Sequence, residues 1–133
     1  MSLPSKSPLI EDSLLSSYVQ IIGPKTYRII KLAMDTGATY TIISLETAIS
    51  IGYNPIASKK HIEVTTASGT IIAPIITIKS ITCLGYKVAN IDVICHDLPP
   101  QSPVKGLLGL NFLIHFPPFK KFINELTAIQ EQK

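Results

Sequence analysis

The stretch KLAMDTGA, residues 31–38, decides the fold of this chain. Its first four residues continue an apolar, strand-like run, which ends at Asp35 and is followed by Thr36 and Gly37. Burying a carboxylate beside apolar residues is costly unless hydrogen bonds or a function compensate for it. Asp-Thr-Gly occurs once in the 133 residues. If Asp35 acts as one of a catalytic pair, the second aspartate therefore has to come from another copy of the chain.

The composition limits the class of protein. With 46% hydrophobic and 16% charged residues, the chain is apolar enough to build a core and too apolar to be disordered. The length of 133 residues fits one domain, which we expect over residues 16–133, behind a flexible Ser/Pro-rich arm over residues 1–15. A net charge of +3, with two lysine doublets that lack stacking aromatics, argues against a nucleic-acid partner.

The sequence also bears on the compartment. No apolar run approaches the roughly 20 residues that a membrane-spanning helix needs. The N-terminus lacks the charged-then-apolar layout of a signal peptide. We therefore expect a cytoplasmic protein, and the alternative is the soluble domain of a membrane-anchored or periplasmic protein.

Cys83 and Cys95 are the only cysteines of the chain. They have no CxxC motif and no histidine at zinc-like spacing, so we expect no metal site. Two buried free thiols are the preferred interpretation, because cysteine packs as a small hydrophobe. A disulfide is the alternative if the two residues lie on paired strands.

Short runs rich in β-branched residues, separated by Gly and Pro turns, predict an all-β domain. A helix is expected over residues 44–50, where Ser44 caps its start, and a second one over residues 110–115. The apolar residues after 116 fit either a helix or a terminal strand. The pattern predicts a barrel with one or two short helices. The predicted strands are 18–22, 26–34, 40–43, 60–66, 70–79, 81–84, 86–95 and 106–109.

Residues 34–39, MDTGAT, together with residues 106–113, GLLGLNFL, resemble the retropepsin-like aspartic proteases. The resemblance covers about residues 18–116. It implies a closed acid-protease barrel and an endopeptidase that is active as a homodimer, without metal or cofactor. It also implies that Asp35, Thr36 and Gly37 form the catalytic motif, with two Asp35 carboxylates sharing one proton across the two-fold axis.

The same resemblance identifies residues that bind the substrate or support the catalytic loop. The hairpin over residues 64–72 occupies the position of the family's flap, a lid that covers an extended polypeptide and bonds its backbone. Residues 106–109 occupy the position of the strand that backs the aspartate. The residues assigned in this way are Ala38, Ala67, Ser68, Gly69, Thr70, Leu108 and Gly109.

Two positions depart from the retroviral pattern. Retroviral members carry an aspartate where Thr39 stands and an arginine where Leu110 stands, and these two charges pair near the dimer interface. Both are missing here, so no lone charge is left without its partner. We interpret the chain as a bacterial or cellular relative rather than a retroviral enzyme.

Other functions remain open from the sequence. The main alternative is a non-catalytic dimeric module that binds peptides or other proteins, in which Asp35 merely starts a turn. A weaker one is a monomeric domain that needs a larger assembly to become active. If the protein is a protease, apolar residues indicate a preference for hydrophobic substrate side chains. These residues are Ile42, Ile71, Ile72 and Leu107.

Overall fold

The computed structural model describes residues 16–131, so the arm expected over residues 1–15 lies outside the described part. The described chain opens with β1 (Ser16–Ile22) and β2 (Tyr27–Met34), which pair antiparallel as predicted. Their turn is closed by the N–H of Gly23, which donates to the Thr26 carbonyl at 2.9 Å. The facing residues Val19 and Ile30 are both buried, and the hairpin thereby lays one face on the core.

The remaining elements follow in an order close to the prediction. The helix α1 begins where expected because the Ser44 hydroxyl accepts a hydrogen bond from the Thr47 N–H at 3.1 Å. Gly52 follows its end with φ +109°, a conformation that favours glycine. The elements are β3 (Thr41–Ile43), α1 (Leu45–Ser50), a 3-10 turn (Pro55–Ala57), β4 (Lys60–Thr66), β5 (Gly69–Cys83), β6 (Tyr86–Cys95), β7 (Gly106–Leu108), α2 (Leu110–Leu113) and α3 (Pro117–Glu131).

Six strands form a closed barrel in the order β1-β2-β7-β3-β6-β5, and the pairing of β1 with β5 closes it. The short strand β7 runs parallel to β2 and antiparallel to β3, which places Leu107 between Ala33 and Ile42. Strand β4 pairs with β5 at the end of the sheet order, outside the closed ring. The all-β, retropepsin-like fold is confirmed.

Strand β5 differs from the prediction, because it is one strand of 15 residues rather than two strands over 70–79 and 81–84. Ser80, the polar residue at the expected break, is buried and lies between two neighbouring strands. It pairs with Ile22 of β1 on one side and with Ala89 of β6 on the other. Pairing on both sides keeps the strand continuous at Ser80. The sequence of β5 alone does not show this, because the pairing depends on β1 and β6.

The interior contains a main cluster and a small second cluster. The main cluster fills the barrel and includes Phe112, Leu113 and Phe116 from the C-terminal side. The second consists of Ala73, Ile75 and Ile94, under the hairpin of β4 and β5.

The C-terminal apolar residues, for which the sequence allowed a helix or a strand, form the helix α3. None of its residues is buried. Within residues 16–131, no helix combines the length and the apolar character that crossing a bilayer requires.

Both cysteines are buried free thiols. Cys83 lies at the end of β5 that pairs with Tyr86, whereas Cys95 lies at the opposite end of β6. A disulfide is therefore excluded by their positions on the two paired strands, and the interpretation as two buried thiols is confirmed.

We expect both thiols of the folded protein to resist alkylation at about pH 8, because the reactive thiolate is scarce. Burial raises the pKa of Cys83 and raises that of Cys95 to about 12. Since folding favours the neutral thiol, this contribution to stability is complete below the ordinary pKa of 9.0 and is lost as the pH rises toward about 12. Mass spectrometry after iodoacetamide treatment, with and without denaturant, measures the protection. Rapid labelling of the native protein would contradict it.

Candidate active site

The aspartate loop connects β2 to β3 and is fixed by its own backbone. The N–H of Asp35 donates to the carbonyl of Leu108 at 2.9 Å, which ties the loop to β7. The N–H of Ala38 donates to the carbonyl of Asp35 at 3.2 Å and closes a tight turn. Carboxylate oxygen Oδ1 of Asp35 accepts the N–H of Gly37 at 2.8 Å. The half-buried carboxylate is thus oriented by a backbone donor within its own loop.

Gly37 lies close to the Asp35 carboxylate. A Cβ atom placed on this residue would lie 3.2 Å from Oδ1 of Asp35, which is tighter than an ordinary contact. A Cβ here would therefore require the carboxylate to shift by a few tenths of an ångström. Thr36, between the two, is exposed, so its hydroxyl lies on the surface beside the carboxylate.

Gly109 lies directly behind the aspartate loop. A Cβ atom here would be 2.4 Å from the carbonyl oxygen of Tyr40 and 2.8 Å from that of Ala38. The next residue, Leu110, donates its N–H to the same Ala38 carbonyl at 2.8 Å. The end of β7 and the start of α2 therefore lie against the loop backbone at a distance that only glycine allows.

Thr41 is a site residue that the sequence reasoning missed. Its buried hydroxyl donates to Oδ1 of Asn111 at 3.0 Å and accepts the N–H of Gly109 at 3.1 Å. Oδ1 of Asn111 also accepts the N–H of Thr41 at 3.0 Å, and its Nδ2 donates to the carbonyl of Asp92 at 2.6 Å. The network joins β3, β6, β7 and α2 directly behind the aspartate loop. The sequence contains one signal for a buried hydrogen-bonding role of Thr41. It is a polar residue in a short apolar strand, at a position that faces the same side as Ile43.

A groove of about 470 Å³ separates the aspartate loop from the hairpin of β4 and β5. Residues 37–40 form one wall and residues 62–65 of β4 form the other. The structure thus brings Gly37 and Ala38 to the same groove as the hairpin that the sequence assigned as a flap. Ala67 and Ser68 form the turn of this hairpin.

The tip of the hairpin lies away from the groove walls. Gly69 and Thr70, which begin β5, are exposed together with the two turn residues. Gly69 has φ +127°, a backbone conformation that strains any residue with a Cβ atom, so the turn favours glycine here. No atom lies within 4 Å of the Cβ position, so the strain comes from the backbone alone. The structure shows that residues 67–70 lie at the tip of the hairpin of β4 and β5. Their role as a lid stays a prediction.

The apolar lining of the groove differs in part from the expectation. Of the four expected residues, Ile42 lies in the lining, while Ile71, Ile72 and Leu107 lie outside it. Ile72 is 69% exposed, and Leu107 is enclosed between its neighbouring strands. The lining also contains Ile62, Val64 and Ile94.

Among residues 16–131, no three His, Cys, Asp or Glu side chains gather in a group that could hold a metal ion.

A model of the family described as "gag-polyprotein putative aspartyl protease" matches residues 25–115. The match includes both the aspartate loop and the segment of β7 and α2 that lies behind it. The chain belongs to this family. Its barrel agrees with the retropepsin-like fold of these aspartyl proteases. No curated protein matches the chain significantly.

In this member of the family, backbone hydrogen bonds join the aspartate loop to α2. Thr39 and Leu110 stand where retroviral relatives carry an ion pair. Here the carbonyl of Thr39 accepts the N–H of Asn111 at 3.1 Å, beside the bond from Leu110 to Ala38. The loop is therefore attached to α2 without any charge at these two positions.

Proposed function

We propose that the chain is an aspartic endopeptidase, active as a homodimer in which two Asp35 carboxylates face each other across the two-fold axis. One observation carries the proposal. The half-buried Asp35, oriented by the Gly37 N–H, lies in a loop whose next residues form a wall of the groove beneath the hairpin. Because the chain has a single Asp-Thr-Gly motif, the second carboxylate comes from a second copy.

The two carboxylates divide the work of general base and general acid. In this proposal the two carboxylates lie in close contact and share one proton, because two negative charges so close together repel each other. The ionised Asp35 takes a proton from water while the water oxygen attacks the peptide carbonyl carbon. The protonated Asp35 of the other copy donates a hydrogen bond to the carbonyl oxygen. A proton then passes to the leaving nitrogen, the C–N bond breaks, and the pair again holds one proton.

The groove fits an extended polypeptide segment. The hairpin supplies strand backbone along one wall, and an extended peptide is commonly held by such backbone as an added strand. The apolar wall of Ile42, Ile62, Val64 and Ile94 favours a hydrophobic substrate side chain. In this proposal the hairpin tip closes over the peptide and excludes water from the cleaved bond.

A cleavage assay on an unfolded protein substrate tests the proposal. We expect cleavage at acidic to mildly acidic pH in an assay that covers about pH 3 to 7. Below the dimer dissociation constant, a tenfold dilution of the enzyme should lower its specific activity by up to about tenfold, because the half-sites separate.

Sedimentation of the same samples provides the comparison. A protein that is dimeric but does not cut at any pH would contradict the proposal. It would support the alternative, a non-catalytic peptide-binding module with the same fold.

A further inference from the structure

An apolar groove lies at the end of the barrel where β1 begins. Its volume is about 350 Å³, and every residue in its lining except Thr36 is apolar. The lining combines Met34 at the end of β2, Leu84 after β5, and Phe119 and Phe122 of α3. Leu84 is 67% exposed and Phe122 is 55% exposed, so much of this apolar surface meets solvent.

The apolar side of α3 extends the groove. Phe122, Leu126 and Ile129 follow Phe119 at intervals of three or four residues, so all four share one side of the helix. Most helical stability in proteins comes from packing of such a side. Residues 16–131 nevertheless leave it without a cover, since no residue of α3 is buried.

Leu84 gives an independent sign that the groove is a contact surface. Leu84 and Gly85 connect β5 to β6, and both have positive φ, 51° and 87°. A two-residue turn of this kind favours Asn, Asp or Gly, because a larger side chain crowds its own backbone in this conformation. A leucine in the turn is explained if it contacts an occupant of the groove that it lines.

The register of β1 directs the preceding chain into the groove. Ser16 pairs with Ala33, and the next residue of β2 is the groove residue Met34. On its other side, β1 pairs with β5 as far as Cys83, which directly precedes Leu84. The chain before Ser16 therefore enters β1 between the two strand ends that carry Met34 and Leu84.

The sequence of the arm over residues 1–15 fits this position. Residues 9–15 read LIEDSLL, with an apolar pair at each end. An extension of the β1 pairing by one residue places Leu15 opposite Met34. Because side chains alternate along a strand, Leu15 then shares the inward side of the buried Val19.

The length of the arm also fits. Leu9 and Ile10 precede Leu15 by five or six residues, which is a reach of up to about 20 Å in an extended chain. The apolar side of α3 from Phe119 to Ile129 is about 15 Å long at the helical rise per residue. A single extended segment therefore spans the groove and this side of the helix.

We propose that the arm docks on its own chain. Leu15 fills the groove between Met34 and Phe119, while Leu9 and Ile10 cover the apolar side of α3. A segment tethered at the groove has an effective concentration on the order of millimolar, which favours it over a separate molecule at lower concentration. The inference does not depend on the proposed function, since the docked arm belongs to the same chain in a monomer or a dimer.

Photo-crosslinking of the full chain tests the docking. Leu15→p-benzoylphenylalanine, in a mixture of isotope-labelled and unlabelled chains, should form crosslinks to Met34 or Phe119 in which both peptides carry the same isotope. The matched control is Leu3→p-benzoylphenylalanine, which should give at least about fivefold fewer crosslinks to these two residues, because a longer tether lowers the effective concentration. Crosslinks that join labelled to unlabelled peptides would overturn the inference in favour of a second copy. An absence of crosslinks to the groove would overturn it as well.

Leu84→Asn separates the turn from the docked arm. In the otherwise unchanged chain the variant loses an apolar contact with the arm, so the melting temperature should fall by about 2–4 °C. In the Leu15→Asp background that contact is already lost, and asparagine suits positive φ, so the same change should raise the melting temperature by about 1–3 °C. The Leu3→Asp background is the control and should behave like wild type. A rise in all three backgrounds would overturn the docking, because Leu84 would then have no contact to lose.

Discussion

Asp35→Asn should abolish peptide cleavage while the protein remains folded. In the proposed mechanism the amide cannot take the proton from water, and both copies of the proposed dimer lose their carboxylate at once. General acid and base catalysis contribute about 10²–10⁴-fold, so cleavage should fall at least about a hundredfold. The asparagine still offers an oxygen to the Gly37 N–H, which donates at 2.8 Å in the present loop. The melting temperature should therefore change little, and a cleavage assay with a thermal melt measures both effects.

A matched control for this variant is Asp97→Asn. Asp97 is exposed, and its Oδ1 accepts the N–H of Leu45 at 3.0 Å, a bond that an amide oxygen also accepts. Its cleavage rate should remain within about twofold of wild type, because the change is a surface substitution that keeps its hydrogen bond.

Mixing the variants adds a second test. An excess of Asp35→Asn chains added to wild type should suppress cleavage, since mixed dimers hold a single carboxylate. Undiminished cleavage by pure Asp35→Asn would remove Asp35 from the mechanism.

Gly109→Ala should destabilise the domain and strongly reduce cleavage. The new Cβ would lie 2.4 Å from the Tyr40 carbonyl oxygen, and this neighbour is backbone, which cannot rotate away. Overpacking of this kind costs about 1–3 kcal/mol or more, which lowers the melting temperature by several degrees. The displaced loop includes Ala38, so the groove wall beside Asp35 moves as well. Thermal unfolding and cleavage at equal folded fraction measure the two effects.

The control for stability is Gly85→Ala. A Cβ at Gly85 meets no atom within 4 Å, although its φ of +87° makes alanine unfavourable. It should cost about 1 kcal/mol from backbone strain alone. If Gly109→Ala is no more destabilising than Gly85→Ala, the close approach behind the aspartate loop has no energetic weight.

Local signals made much of the site predictable. Asp35 and Gly37 are two residues apart and form their hydrogen bond within one turn, so the short motif alone determines this geometry. The helix α1 was predictable for the same reason, because Ser44 caps it locally. The start of α3 at Pro117 also has a local signal, since proline is favoured at the first helical position.

Features that depend on distant neighbours were not predictable. Thr41 and Asn111 are separated by 70 residues, and their bond exists only because β3 and α2 meet behind the loop. Ser80 reads as a strand break until β1 and β6 pair with it on both sides. The groove lining likewise lacks the expected Ile71 and Ile72, because β4 rather than β5 forms its wall.

The length of β5 has a mechanical consequence. Its residues from Ile75 onward pair with β6, whereas residues 69–74 pair with β4 alone. Ile75 and Ile76 are both buried, yet they belong to different clusters, so the strand changes its buried side at this point. The hairpin is therefore anchored to the barrel at one end only, where Ile75 pairs with Ile94. Any movement of its tip bends the strand near Ile75, and the packing of Ile75 against Ile94 sets the stiffness of the hairpin.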